Sequence, residues 1–294
     1  MKTQYQKDKF YRFSIGHFDC LSVSDGTFDY DPNHLFLGKS EEEISEIMLK
    51  HNMATDIITS PYTFLYVNNG TNKVLVDMGA GKLGPNTGKM IDNLKLVGIQ
   101  PNDIDSVIIT HAHPDHVGGT LDENGNPNYP NARYYIWEKE WDFWFSDKAI
   151  QEVDKYLSKI VPTELFIKVA RGQLGPIKDK VEFITEEKEI LPGIFTHFAP
   201  GHTPGHMVIS FASEGEELYF TSDTVIFPLF IEQPDLHISI DIMPDEADKS
   251  KHRIYNQVAK KKALVLAQHF HPFPSLGHID KKEHGWSWNP IKID

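Results

Sequence analysis

Between Thr110 and Gly119 the chain reads Thr-His-Ala-His-Pro-Asp-His-Val-Gly-Gly, so that His111, His113, Asp115 and His116 fall within six consecutive positions. They follow Ser106-Val107-Ile108-Ile109, a short apolar run with β-branched residues that predicts a buried strand. In an extended segment leaving that strand, side chains two apart face the same way, so His111 and His113 can grip one cation. A turn into a helix then lets Asp115 and His116 reach a second cation beside the first. Imidazole and carboxylate donors together suit zinc, with iron, cobalt and manganese admitted by the same ligand chemistry. Such a segment also demands partners from elsewhere in the chain.

The remaining histidines supply them. Fifteen of 294 residues are histidine, and they cluster. His202 sits in Ala199-Pro200-Gly201-His202-Thr203-Pro204-Gly205-His206, where prolines and glycines hold the backbone in a tight loop. Asp223 follows the expected strand Glu217 to Thr221, and its two carboxylate oxygens can bridge two cations. His269 directly follows the apolar run from Ala263, with His271 a rival ligand two residues on. The single cysteine, Cys20, excludes an internal disulfide and a cysteine-rich metal site.

The surrounding pattern is that of an α/β protein. Tyr62 to Val67 and Lys73 to Asp77 read as a hairpin around Asn68-Asn69-Gly70-Thr71. Phe18 to Val23 reads as a strand ended by a turn at Ser24-Asp25-Gly26. Ser40 and Glu43 have capping-box spacing at the start of a helix running to about His51. Further helices are expected near 89–97, 137–145, 150–160 and 248–262. Strands are expected at 181–184, 194–198, 207–211, 217–221 and 263–267. No linker or low-complexity segment divides the chain, so residues 1–294 are read as one domain, with 1–60 an N-terminal extension that contacts a pocket or a second copy.

Charge and hydropathy exclude several classes. With 29 basic and 42 acidic side chains the formal charge is −13, which disfavours nucleic acid as a partner. No apolar run approaches the ~20 residues that span a bilayer, so no membrane partner is expected. The start, MKTQYQKDKFYRF, lacks the apolar stretch of a secretory signal, and a cytoplasmic location is the default expectation.

The pattern His-x-His-x-Asp-His at 111–116, followed by His202, Asp223 and His269, resembles the metallo-β-lactamase superfamily. The resemblance covers the chain from about Tyr62 onward and implies that family's αβ/βα sandwich, two mixed sheets between outer helices. It also implies a ligand set: His111, His113 and His202 on a first metal, Asp115, His116 and His269 on a second, with Asp223 and a hydroxide bridging them. Asp77 matches an aspartate behind the metals. The implied chemistry is hydrolysis, with Asp115 and Asp223 as the catalytic carboxylates. Within the superfamily, Gly79 to Pro85, the helix at 137–145 and the tail Pro272 to His278 resemble the branch of methyl parathion hydrolase and the quorum-quenching lactonases, which are usually dimers. The expected substrate is therefore a small ester or lactone, above all an N-acyl-homoserine lactone, with aryl esters and phosphotriesters as the alternative. An iron-dependent oxidoreductase of the same superfamily is the reading from a different class. Small acyl-homoserine lactonases carry a tyrosine three residues after the bridging aspartate; here that position is Ile226, so another donor is required. Phe227, Phe230 and Phe270 are expected to line an apolar pocket.

Overall fold

The computed structural model, which describes residues 5–147, 149, 151, 153 and 163–293, turns the apolar runs into two mixed sheets. The first contains, in spatial order, β1 (Tyr5–Gln6), β2 (Phe10–Ile15), β3 (Phe18–Tyr30), β4 (Ile58–Asn68), β5 (Lys73–Val76), β6 (Ser106–Ile109), β7 (Arg133–Trp137) and β8 (Val181–Ile184). The second contains β9 (Glu189–Leu191), β10 (Ile194–Phe198), β11 (Met207–Ser213), β12 (Glu216–Phe220), β13 (Leu264–Leu266), β14 (Leu276–Lys281) and β15 (Trp286–Pro290), again as sequence neighbours. The main helices are α1 (Glu41–Lys50), α2 (Met90–Leu96), α3 (Pro114–Val117), α4 (Glu138–Phe145), α5 (Thr163–Leu174), α6 (Leu229–Glu232) and α7 (Pro244–Lys261).

Strand alternation explains the layers. Val74, Val76 and Ile108 meet Ile209, Phe220 and Leu266 of the second sheet, forming the inner core. Their neighbours Leu75, Val107 and Ile109 point the other way, against Leu94 of α2, Trp141 and Trp144 of α4, and Ala170 and Leu174 of α5. On the far side Tyr219 and Val265 pack with Ile254, Tyr255 and Val258 of α7 and with Ile44 and Met48 of α1. Strands buried on both faces read as continuous apolar runs. The architecture is the αβ/βα sandwich.

The expected elements appear with small shifts at their ends, and the α1 capping box is complete: Glu43 N donates to Ser40 Oγ at 3.3 Å and Ser40 N to the Glu43 carboxylate at 2.8 Å. The turn expected at Ser24-Asp25-Gly26 is corrected. β3 continues through it to Tyr30, with a bulge between Ser24 and Gly26. Gly26 has φ +123°, and the Asp25 carboxylate turns inward to accept from Ala80 N and Met90 N, both at 3.0 Å. Turn-forming residues here bend a long strand instead of ending it. The helix expected over 150–160 falls almost entirely outside the described residues. The strands β1, β2, β7, β9, β14 and β15 and the helices α5 and α6 have no counterpart among the expected elements. Cys20 is buried in the inner core.

Gly119 shows how closely the backbone is layered. A Cβ there would lie 2.1 Å from Met78 O, because the chain leaving α3 crosses the chain leaving β5. Gly119→Ala must push two backbones apart and is expected to cost about 2–3 kcal/mol of stability, read as a lowered midpoint in chemical denaturation; an unchanged midpoint would contradict this crossing.

Candidate metal centre

Topology brings the candidate ligands to one edge. β5 and β6 are parallel, as are β12 and β13, so their carboxyl ends lie together. Asp77, His111, Asp223 and His269 are the residues just beyond those four ends. β10 runs antiparallel to β11, and β11 to β12, so the His202 loop leaves on the same side as Asp223. Ligand sites gather at the carboxyl ends of strands in α/β sheets because the loops there are free to vary.

Two groups of donor atoms result, each with all its atoms within 4.8 Å of one another: His111, His113 and His202; and Asp115, His116, Asp223 and His269. Asp223 faces both. Its Oδ2 lies 3.3 Å from His202 Nε2 and 3.9 Å from His111 Nε2, while its Oδ1 lies 3.3 Å from both His116 Nε2 and His269 Nε2. Asp115 Oδ2 lies 3.6 Å from His116 Nε2 and 3.5 Å from His269 Nε2. His271 stays outside: it is exposed and its ring meets the Thr59 carbonyl. Of the two rivals, His269 joins the cluster.

The donor set fits a pair of cations. Nε2 of His111, His113 and His202 and Oδ1 of Asp223 are buried without a hydrogen-bond partner, a costly arrangement unless a ligand satisfies them. On three of the ligands the other ring nitrogen, Nδ1, is engaged. His116 Nδ1 meets Asp77 Oδ2 at 2.8 Å, His202 Nδ1 meets Asp241 Oδ1 at 2.9 Å, and His269 Nδ1 meets Ser60 Oγ at 2.9 Å. Asp77, fully buried, also accepts from Thr110 N and Thr110 Oγ1 at 2.7 Å each. Such bonds fix each ring's tautomer and aim the other nitrogen inward. Burial alone would lower His116 and His202. The carboxylates of Asp223, Asp115 and Asp77 nevertheless raise His116 well above the usual imidazole value, and Asp223 and Asp241 raise His202 to about 9. His111 and His113 are held well below it by burial and neighbouring imidazoles.

Glu140, on α4, was missed by sequence reasoning. It is fully buried and accepts four hydrogen bonds: Oε1 from Ala112 N (2.9 Å) and Trp144 Nε1 (2.7 Å), Oε2 from Thr203 Oγ1 (2.6 Å) and Gly205 N (2.9 Å). One carboxylate thus ties the His111–His113 turn to the His202 loop. Nothing in its surroundings, Glu138-Lys139-Glu140-Trp141, marks it out. Gln268 is also buried, with Nε2 3.2 Å from His116 Nε2, and His206 lies against the His111 ring without joining either ligand group. Lys82 is an exposed partner of Glu123.

The centre opens into a cavity of about 380 Å³. His113, Asp115 and Asp223 lie on its floor, and Phe28, Leu35, Leu83, Leu165, Phe166 and Ile240 supply apolar wall. The expected pocket residues Phe227, Phe230 and Phe270 are corrected: all three are buried in the core that α6, which carries Phe230, shares with α7, and none lines the cavity. Their aromatic bulk is consumed by packing, Phe230 against Phe36 and Phe270 against Trp288. Ile226 does reach the wall, as do Tyr30 and Tyr62, whose hydroxyls are 2.7 Å apart.

Glu140→Gln keeps the shape but turns an NH2 group toward two of the four donors, and is expected to weaken metal binding about 10–100-fold. Competition against a chelator measures this; unchanged affinity would reduce Glu140 to a packing role. Cation binding must also displace protons from His116 and His202, so affinity rises as pH goes up and falls as it goes down. Calorimetry in buffers of different ionisation enthalpy detects the released protons, and no release would contradict the charge balance described.

A family model described as the metallo-beta-lactamase superfamily matches residues 59–269. An N-acyl homoserine lactonase from a Bacillus species is 27% identical over 126 residues, which cover 43% of this chain and 40% of that protein; the match thus spans less than half of the relative's length. Among solved structures, AidC, described as a dizinc quorum-quenching lactonase in complex with the product N-hexanoyl-L-homoserine, is similar with a TM-score of 0.90 at 27% identity, over 97% of this chain and 98% of that one. The hydrolase AbOPH, described as lying in the beta lactamase superfamily, gives 0.88 at 26% identity over 99% and 100%. With the family match running across both ligand groups and most of the two sheets, this chain belongs to the metallo-β-lactamase superfamily.

Proposed function

We propose that this protein is a hydrolase that uses two divalent metal ions to open the ring of an N-acyl-homoserine lactone. One observation carries the reading: two adjoining ligand groups, with Asp223 facing both, put His113, Asp115 and Asp223 on the floor of an apolar-walled cavity whose described lining contains no lysine or arginine. Outside the ligand groups the carboxylates on that lining are Asp29 and Asp31, so the wall offers an anionic substrate no cationic side chain and suits a neutral ester with a hydrophobic tail. The similarity to AidC and to the Bacillus lactonases supports the lactone over other neutral esters.

Zinc suits the mixed imidazole and carboxylate donors. A bound pair would supply a water acidified toward neutrality and a Lewis acid for the carbonyl oxygen. In this reading His111, His113 and His202 hold one ion, and Asp115, His116 and His269 the other. Asp223, which faces both groups, would help to hold both ions. Asp115, which also lines the cavity, is placed to pass a proton to the leaving oxygen. A cytoplasmic homodimer remains part of the proposal, checked by light scattering and fractionation.

Elemental analysis paired with hydrolysis assays tests it. Two zinc ions per chain and turnover of a long-chain acyl-homoserine lactone are expected, with turnover reduced at least ~100-fold in His113→Ala, the order of loss when one electrostatic stabiliser is removed. Faster turnover of aryl esters or phosphotriesters would move the substrate to the methyl parathion hydrolase type. One iron per chain without hydrolysis would overturn the hydrolase reading.

A further inference from the structure

Tyr30 ends β3 and Tyr62 lies in β4, and both rings stand on the cavity wall beside His113, Asp115 and Asp223. Their hydroxyls meet at 2.7 Å. Two hydroxyls carry two protons, and their mutual bond uses one. Among the described residues neither oxygen has another hydrogen-bond partner, so one O–H stays uncommitted at the edge of the ligand groups. A hydroxyl proton free of a protein acceptor on the cavity wall is available to an oxygen on a bound ligand.

The rest of the lining offers little competition. Asp29, Asp31, Asp115 and Asp223 are acceptors when ionised. Thr87 spends its hydroxyl on the Gly81 and Gly84 carbonyls. Of the described hydroxyls on the lining, the tyrosine pair is the one that keeps a proton free of a protein acceptor.

Packing differentiates the two members. Tyr62 is 4% exposed, its ring set edge-on against His269 at 5.1 Å and stacked under Phe28 at 6.1 Å. Tyr30 is less buried and rests edge-on against Phe28 and Phe227. Tyr62 is the anchored member and Tyr30 the one open to the cavity.

We propose that Tyr30, held in place by Tyr62, donates a hydrogen bond to the carbonyl oxygen of the substrate as negative charge builds on it during ester cleavage. This rests on the ester-hydrolase reading above. The proton stays on Tyr30; the bond is an electrostatic one that strengthens as the oxyanion forms, which is the property that lowers a barrier. Tyr62 acts through Tyr30 as a positioning residue.

The test uses the metal-loaded protein with Tyr30→Phe and Tyr62→Phe. Metal content and thermal midpoint of each variant are measured first, since phenylalanine keeps the ring and removes only the hydroxyl. Tyr30→Phe is expected to keep two metals per chain and to lose about 100-fold in kcat, with KM within about twofold, the signature of an interaction made only in the transition state. A tetrahedral phosphonate analogue of the lactone should lose affinity by the same factor as kcat/KM. Tyr62→Phe should lose less, about tenfold, again in kcat. Unchanged kcat in Tyr30→Phe, or a loss confined to KM or to metal content, would overturn the proposal while leaving the hydrolase reading intact. Absence of ester turnover by the unmodified protein would overturn both.

Discussion

Asp223 presents one carboxylate oxygen to each of two buried clusters of imidazoles, and most of the surrounding structure exists to make that position tolerable. A buried carboxylate is costly unless paired. Burial would raise its pKa, yet His269 and His116 hold it well below the usual carboxylate range. The compensation is mutual, because the same aspartate raises His116 and His202. An apolar interior on both sides of the two sheets keeps water from this cluster except on its cavity side, so its buried charges interact with reduced screening. The sandwich supplies that setting by ending four inward-facing strands at the same edge.

The ligands themselves are held by a further ring of acceptors. Asp77, Asp241 and Glu140 come from three separate places in the chain and each fixes one part of the centre: the His116 ring, the His202 ring, and the two loops that carry His111, His113 and His202. Glu140 is the least expected. Its burial would be untenable with fewer donors, and it has four, two to each carboxylate oxygen. These bonds come from the protein itself, and donors and acceptors fixed in place are the condition under which electrostatic stabilisation is effective.

Sequence reading reached the centre because its chemistry is compressed. Four ligands in six positions behind a β-branched run leave few structural interpretations, and His202, Asp223 and His269 each follow a recognisable strand. Apolar runs such as Val74 to Val76 and Val107 to Ile109 likewise declare strands buried on both faces. The failures have physical causes. Glu140 depends on contacts 28 and 63 residues away, which no local pattern encodes. Phe227, Phe230 and Phe270 are near the ligands in sequence, but the side of the backbone each occupies is decided by α6 and α7 packing. The Ser24-Asp25-Gly26 segment carries turn chemistry that the structure spends on a bulge, since Gly26 must admit the Asn86 carbonyl and Asp25 must cap the start of α2.

Floor and wall of the cavity come from different parts of the fold. The floor is made of residues at strand ends, tied to the core through Thr110, Ser60, Asp77 and Glu140. The described wall comes from the end of β3 and the following loop (Phe28 to Leu35), the loop after β5 (Leu83 to Thr87), the start of α5 (Leu165, Phe166) and the segments around Ile226 and Ile240. These elements pack on the sandwich without carrying the ligands. Changing a wall side chain therefore alters what fits above the centre while leaving its charge balance in place, whereas changing a residue behind the floor disturbs the charges and leaves the shape alone. Tyr30 and Tyr62 are the exception that joins the two: their hydroxyls belong to the wall, and the Tyr62 ring rests on His269.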